Sequence, residues 1–328
     1  MSDIAPYSDL SPDTIRAALE SRGFQPDGSM LGLNSYENRV YQIGMEDGPP
    51  LVAKFYRPGR WSDASIQEEH DFSLALAAQE IPVIAPLQDA EGNTLHSYAG
   101  YRFSLSPRQG GRWPELDDPD DLMWVGRLMA RIHLFAAGKP FQQRPTLDPK
   151  EMGSDSAEYL LANGFIPLEL QARYRQITQE LQQGIDDSFA SVGNYQQIRL
   201  HGDCHLGNIL WNDDGPHFVD MDDCRNGPAI QDLWMLLSGE HNEMSMQMSY
   251  LREGYETFRP LNRAEIRLIE PLRSLRIIHY AAWLARRWDD PAFPAAFPWF
   301  NTNQYWQDHI STLEHQRVAM DNPPLSMY

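Results

Sequence analysis

His201-Gly202-Asp203-Cys204-His205-Leu206-Gly207-Asn208-Ile209-Leu210-Trp211, followed by Phe218-Val219-Asp220-Met221-Asp222-Asp223, is the stretch around which the rest of the chain is organised. An apolar stub, Ile198 to Leu200, runs into a polar loop that holds one carboxylate, Asp203, and one carboxamide, Asn208, five residues later. Ile209-Leu210-Trp211 reads as a short strand, and Asn212-Asp213-Asp214-Gly215 is a strong turn signal. His217-Phe218-Val219 reads as the return strand. A hairpin therefore brings Asp220 back beside the loop that carries Asp203 and Asn208. Two carboxylates and an amide oxygen converge there, and hard oxygen donors of this kind suit Mg²⁺ held together with the phosphates of a nucleotide.

The order Asp203, Asn208, Asp220 resembles the protein-kinase catalytic loop H-R-D-x-x-x-x-N and its later D-F-G. In the form H-G-D-x-H-x-G-N, with Val219-Asp220-Met221 in place of D-F-G, it is similar to the aminoglycoside phosphotransferase and choline kinase branch of that fold. Leu33 to Tyr41, Lys54-Phe55-Tyr56-Arg57-Pro58, Asn226 to Leu237 and the C-terminal Pro-Pro-Leu…Met-Tyr extend the likeness over nearly the whole chain. They resemble the bacterial stress response kinase A family, which implies an α+β, two-lobed, protein-kinase-like fold. The expected N-terminal lobe, a small antiparallel sheet with a helix, spans residues 1–106. The expected C-terminal lobe is larger and mainly helical, spans 107–328, and carries the catalytic loop and metal site. ATP is expected between them, with adenine on the backbone near Leu105.

Composition sets wider bounds. The chain has 328 residues, 42% hydrophobic and 22% charged, which is ordinary globular material. Its 27 basic and 46 acidic side chains give a formal charge of −19. No basic face for nucleic acid is visible, and the acidity disfavours an anionic membrane surface while favouring basic peptide segments as partners. Two cysteines, Cys204 and Cys224, make no disulfide framework. The N-terminus shows no basic-then-apolar leader. The best apolar run, Ile277 to Leu284, is short of the roughly eighteen residues a membrane span needs. A cytoplasmic monomer is expected.

Taken in order, Ser11 and Pro12 open a helix that stops at Gly23. Strand-like segments at 31–37, 39–43 and 51–56 follow, then a helix over 62–79 and a strand over 101–105. Residues 106–111 break the pattern and are the candidate hinge, and from Pro119 the chain reads as helical. Lys54 lies on the third strand. By itself it reads as a surface lysine; the resemblance implies the lysine that binds the α and β phosphates of ATP. Glu69, on an otherwise apolar helix face, wants a cationic partner, for which Lys54 is the obvious choice. Glu68 is the alternative, because the helix phase is open by a residue. No glycine-rich loop is present. Ser35 stands in its place, either as a phosphate donor or as part of a plain hairpin turn.

His133 reads as a core residue, Cys204 as a small space-filling one, and His205 as a residue that fixes the loop. Asp222 and Asp223 stay open between support of the site and mere solvation. Asp232, at the start of a helix, reads as structural: the resemblance implies that it accepts hydrogen bonds from the catalytic-loop backbone. The resemblance further implies a serine/threonine protein kinase acting in a bacterial stress response. Asp203 would be the base, Asn208 and Asp220 the Mg²⁺ ligands, Lys54 the phosphate partner, and ATP and a protein hydroxyl the substrates. A small-molecule kinase for an amino alcohol, sugar or aminoglycoside is the alternative, since the loop motif serves both, and a catalytically silent nucleotide-binding regulator is the third reading. Residues 221–228 hold no Ser, Thr or Tyr, so a site assembled without activation-loop phosphorylation is expected.

Overall fold

A computed structural model describes residues 6–326; Met327 and Tyr328 of the C-terminal motif lie outside the described residues. The chain divides into two compact units. The first runs up to Glu115 and adds Phe141–Arg144 and Asp203–Cys224; the second holds Leu116–Pro140, Pro145–Gly202 and the chain from Arg225 on. This partition differs from a single cut at residue 106 in that the catalytic hairpin belongs with the N-terminal sheet. Backbone pairing gives the reason. Arg112 and Trp211 exchange hydrogen bonds at 2.9 and 2.8 Å, Phe218 N donates to Pro82 O at 2.8 Å, and Ile84 N donates to Phe218 O at 3.0 Å.

In the first unit, α1 (Pro12–Glu20) is capped by the Ser11 hydroxyl, which accepts from Thr14 N. Five antiparallel strands follow, β1 (Pro26–Gly32), β2 (Arg39–Met45), β3 (Leu51–Phe55), β4 (His96–Tyr98) and β5 (Tyr101–Pro107), in the order β1-β2-β3-β5-β4. The first strand lies five residues earlier than 31–37 at its start and ends at Gly32. Asp27-Gly28-Ser29 has turn composition, but Gly28, at φ 93°, takes up a register shift between Pro26 and Met30 and the strand runs through it. Ala53 and Phe55 of β3 are buried against Ile15 and Leu19 of α1 with Phe103 and Leu105 of β5. The two-residue period of a strand then turns Lys54 to the opposite face. There α2 (Asp63–Ala77), capped by Ser62, buries Ile66, Glu69, His70, Phe72 and Leu76.

The second unit is mainly helical: α3 (Pro119–Ala136), α4 (Ser156–Ala162), α5 (Gln171–Val192), α6 (Ile230–Trp234), α7 (His241–Tyr255), α8 (Ile269–Ala285), α9 (Ala292–Ala296) and α10 (Asn303–Ala319). A two-stranded pair, Ile198–Leu200 with Arg225–Gly227, joins them. Glycines set the approach of α3 to α7. A Cβ on Gly126 would collide with Leu251 O, and one on Gly254 with Met123 O. The Pro-rich aromatic segment before α10 is anchored to the core by two rings: Phe293 and Phe300 are fully buried, packing on Trp283 and Trp306 respectively.

Candidate active site

The hairpin of Ile209–Asn212 and Gly215–Phe218 pairs Ile209 with Phe218, so the residues just outside it, Asn208 and Val219, also face each other. Val219 N donates to Asn208 O at 3.0 Å, and Asp220 is next in the chain. The Asn208 amide donates through Nδ2 to Asp203 O at 2.9 Å, which leaves its Oδ1 as the side-chain oxygen to offer a ligand. Asn208 is thereby bonded to Asp203 through its side chain and to Val219, the residue before Asp220, through its backbone, so one asparagine links the three positions. His205 fixes the loop between them: its Nδ1 accepts from Gly207 N at 2.9 Å, and its Nε2 lies 3.5 Å from Asp203 Oδ2. Gly202, at φ 86°, supplies the left-handed backbone that leads into Asp203.

Asp220 itself sits at φ 60°, ψ 67°, a conformation that costs a residue with a side chain and persists only where its surroundings impose it. Its carboxylate, 54% exposed, lies 3.1 Å from Lys54 Nζ. Lys54 also lies 3.1 Å from Asp222 Oδ1 and 3.5 Å from Glu69 Oε1. Burial would lower the Lys54 pKa, but Asp222, Glu69 and Asp220 outweigh it and hold the pKa well above the usual lysine value. The ammonium is a fixed positive charge among carboxylates. Burial pushes the Glu69 pKa up, and the charge of Lys54 opposes that rise.

Helix phase is resolved between the two glutamates. Glu69 turns inward to Lys54. Glu68 accepts from the backbone N–H groups of Gln142, Gln143 and Arg144 at 2.6, 2.7 and 2.9 Å. With Phe72 edge-on to Phe141 and Ser65 Oγ donating to Gln143 O at 2.9 Å, α2 is clamped to the segment Phe141–Arg144. Ser35 donates to Asn38 O at 3.2 Å within its own turn.

Asp222 is more deeply placed than its position in an acidic run suggests. Its side chain is 5% exposed, and Arg60 pairs with its second oxygen. Despite burial, Lys54, Arg60 and Arg144 hold its carboxyl far below the usual range. The buried Arg144 guanidinium donates to Asp222 O and, at 3.0 Å, to Cys224 O; it stacks at 4.0 Å on Trp61. Arg60, Arg144 and the depth of Asp222 escape sequence reading, because Asp222 lies 162 residues from Arg60 and 78 from Arg144 in the chain. Cys204 is fully buried, as a space-filling residue would be.

Within the second unit, Asp232 accepts from His201 N and Gly202 N, both at 2.8 Å, immediately ahead of Asp203 in the chain. His133 is the satisfied core residue expected: fully buried, it meets Asp232 Oδ2 at 3.2 Å and Tyr255 Oη at 2.9 Å. It therefore orients the carboxylate that holds the loop.

Residues 30–269 match the family model described as the phosphotransferase enzyme family. The chain belongs to this family. Among phosphotransferase relatives, stress response kinase A of Escherichia coli (strain K12) is 44% identical over 98% of this chain and 97% of its own length. Serine/threonine protein kinase RdoA of Salmonella typhimurium matches at the same identity and coverage. Amicoumacin kinase hAmiN superposes with a TM-score of 0.72 at 18% identity, covering 96% of this chain and 95% of that one. A microcompartment-associated aminopropanol kinase also gives 0.72, at 16% identity, with 95% and 97% covered. At such identities the likeness is one of fold, and it agrees with the expected α+β kinase-like class.

The donor set also bears on a metal. Among the described residues no group of three or more His, Cys, Asp or Glu forms a self-sufficient cage. Asn208 Oδ1 and the exposed Asp220 carboxylate are two oxygen donors, the kind of partial set that suits a hard cation taking its other oxygens from phosphate and water.

Proposed function

We propose that this protein is an ATP-dependent serine/threonine protein kinase of a bacterial stress response, using Mg²⁺. The observation that carries the reading is 44% identity, over almost the full length of both chains, to relatives that bear those names. The site is consistent with it. Phosphoryl transfer demands positioning and charge neutralisation more than covalent work. Lys54 would hold the α and β phosphates, with Glu69 keeping the ammonium in place. Asn208 and Asp220 would hold Mg²⁺, which when bound supplies positive charge across the phosphate oxygens. Asp203 would orient the acceptor hydroxyl and take its proton as the oxygen bonds to the γ-phosphorus and the bond to the ADP oxygen breaks. Clamping of α2 through Glu68 supports a site assembled without phosphorylation.

A small-molecule alcohol is the second reading, because the two structural neighbours are an amicoumacin kinase and an aminopropanol kinase. Transfer of radiolabelled γ-phosphate to protein fractions and to a panel of small alcohols, run in parallel, separates the two. Label on protein Ser or Thr is the expected result, and label on small alcohols alone would overturn it. A cytoplasmic monomer is part of the proposal. Among the described residues no helix is long and apolar enough to cross a membrane, and a sedimentation measurement tests the monomer.

A further inference from the structure

We propose that Arg60 is the positioning residue of the nucleotide site: it joins the turn expected over the phosphates to the acidic loop that restrains Lys54. The inference rests on the kinase reading above. Arg60 follows β3 in the segment Arg57-Pro58-Gly59-Arg60, and its side chain is only 12% exposed. One nitrogen pairs with Asp222 Oδ2, another meets Asp223 Oδ1 at 2.6 Å, and Nε lies 3.8 Å from Glu37 Oε1. Its guanidinium carbon sits 5.1 Å from the centre of the Trp61 ring, whose other neighbour is Arg144.

Each contact has a consequence for phosphate binding. Asp222 is shared between two cations, Lys54 through Oδ1 and Arg60 through Oδ2. With both oxygens committed in this way, Asp222 acts as a bridge between the two cations. Without Arg60, the buried carboxylate would keep only Lys54 as a direct ion-pair partner of its side chain, with the Arg144 charge nearby, and the phosphates would have to compete with it for the ammonium. The strength of such a claim is large where water is excluded. Glu37 lies in the turn between β1 and β2, is buried, and is also approached at 3.7 Å by Arg57 Nε. Asn38 Oδ1 accepts from Arg57 N at 3.1 Å. The turn is thus held by the same short segment that holds the acidic loop. None of the Arg60 contacts reaches Asp203, so the effect belongs to nucleotide affinity and not to proton transfer.

The test is calorimetric binding of a non-hydrolysable Mg·ATP analogue to wild type, Arg60→Gln, Arg60→Lys and Glu37→Gln, with turnover and thermal melting alongside. Arg60→Gln is expected to weaken the analogue and raise KM for ATP by about tenfold, the usual scale of one charge-assisted contact, while kcat at saturating ATP stays within about threefold. Arg60→Lys, which keeps the charge but not the fork, should recover part of the affinity. A folded Arg60→Gln protein that binds like wild type, or whose loss is confined to kcat, overturns the inference. If Arg60→Gln does not fold, Glu37→Gln decides: weaker binding supports the role, and unchanged binding overturns it. Wild-type protein that binds no Mg·ATP would overturn the kinase reading along with it, whereas tight wild-type binding with indifferent variants sinks this inference alone.

Discussion

Asp203 and Asp220 are both carboxylates of one cluster, yet their surroundings assign them different work. Asp220 is exposed, faces Lys54, and is fixed in a left-handed backbone conformation. Asp203 stands where Asp232 and Asn208 hold the loop around it. Asp203→Ala and Asp203→Asn should therefore both lower kcat by about 10²–10⁴-fold, the usual contribution of a general base, while Mg·ATP affinity stays near wild type. The asparagine keeps the shape but cannot take the proton. Turnover measured beside nucleotide binding checks this, and wild-type turnover in Asp203→Asn would place the base elsewhere. Asn208→Ala and Asp220→Ala should behave otherwise, because each removes an oxygen donor from a hard cation. The Mg²⁺ concentration for half-maximal activity should rise by about tenfold or more in each, the effect of losing roughly 1.4 kcal/mol of binding. An unshifted Mg²⁺ titration in both folded variants would remove them from the ligand set.

At the scale of elements, what sequence could reveal depended on how local the cause was. Helix starts carried their own caps, so α1 and α2 were legible to within two residues at Ser11 and Ser62. The catalytic hairpin was legible because its turn residues and its two flanking polar positions sit within twenty residues of one another. The start of β1 was not legible, because a bulge and a turn share the same Asp-Gly-Ser composition. Glu68 and Glu69 could not be told apart from helix period alone, since what orders them is the distant backbone of Phe141–Arg144 on one side and Lys54 on the other. Asp222 was legible only as one of several adjacent acids; the ion pairs that give it a role join residues far apart in the chain. The α3–α7 crossing was invisible for a similar reason: Gly126 and Gly254 look like ordinary weak points of a helix until their carbonyl neighbours are known. Both contacts of that crossing are against backbone, so an added methyl has no flexible atom to displace. Gly254→Ala should destabilise the fold by about 1–3 kcal/mol, despite the better helix propensity of alanine. A lower urea midpoint with an unchanged slope is the expected readout, and a midpoint at or above wild type would show that the helices can separate at little cost.

For the molecule as a whole, the strongest expectation concerns acid. His70 is enclosed between Tyr56 Oη and Thr94 Oγ1, each at 2.7 Å. Burial, aided by Lys54, His96 and Arg144 and opposed by Asp222, moves its pKa down from 6.5 to about 3. His309, stacked between Tyr174 and Tyr305 in the second unit, is moved by burial to about 4. Buried His133 is also lowered, against the pull of Asp232. Each is neutral in the folded protein while the unfolded chain takes up a proton below about pH 6.5, so the unfolded state binds more protons and stability rises with pH. The contribution is complete above pH 6.5 and is lost as pH falls towards 3 for His70 and 4 for His309. Where the difference is fully developed, each such histidine removes about 1.4 kcal/mol per pH unit. Asp222 adds a second loss at lower pH, below the ordinary aspartate pKa of 3.8, because its folded pKa is depressed. Glu69, whose pKa is raised, works in the other direction. Urea midpoints recorded from pH 7.5 to 4 should fall steadily below pH 6.5. His70→Gln, though less stable at neutral pH, should show a shallower fall over that range than wild type. Parallel curves for the two proteins would mean that His70 takes up its proton as readily in the folded state as in the unfolded one, and the acid sensitivity would then have to come from His309, His133 and the carboxylates.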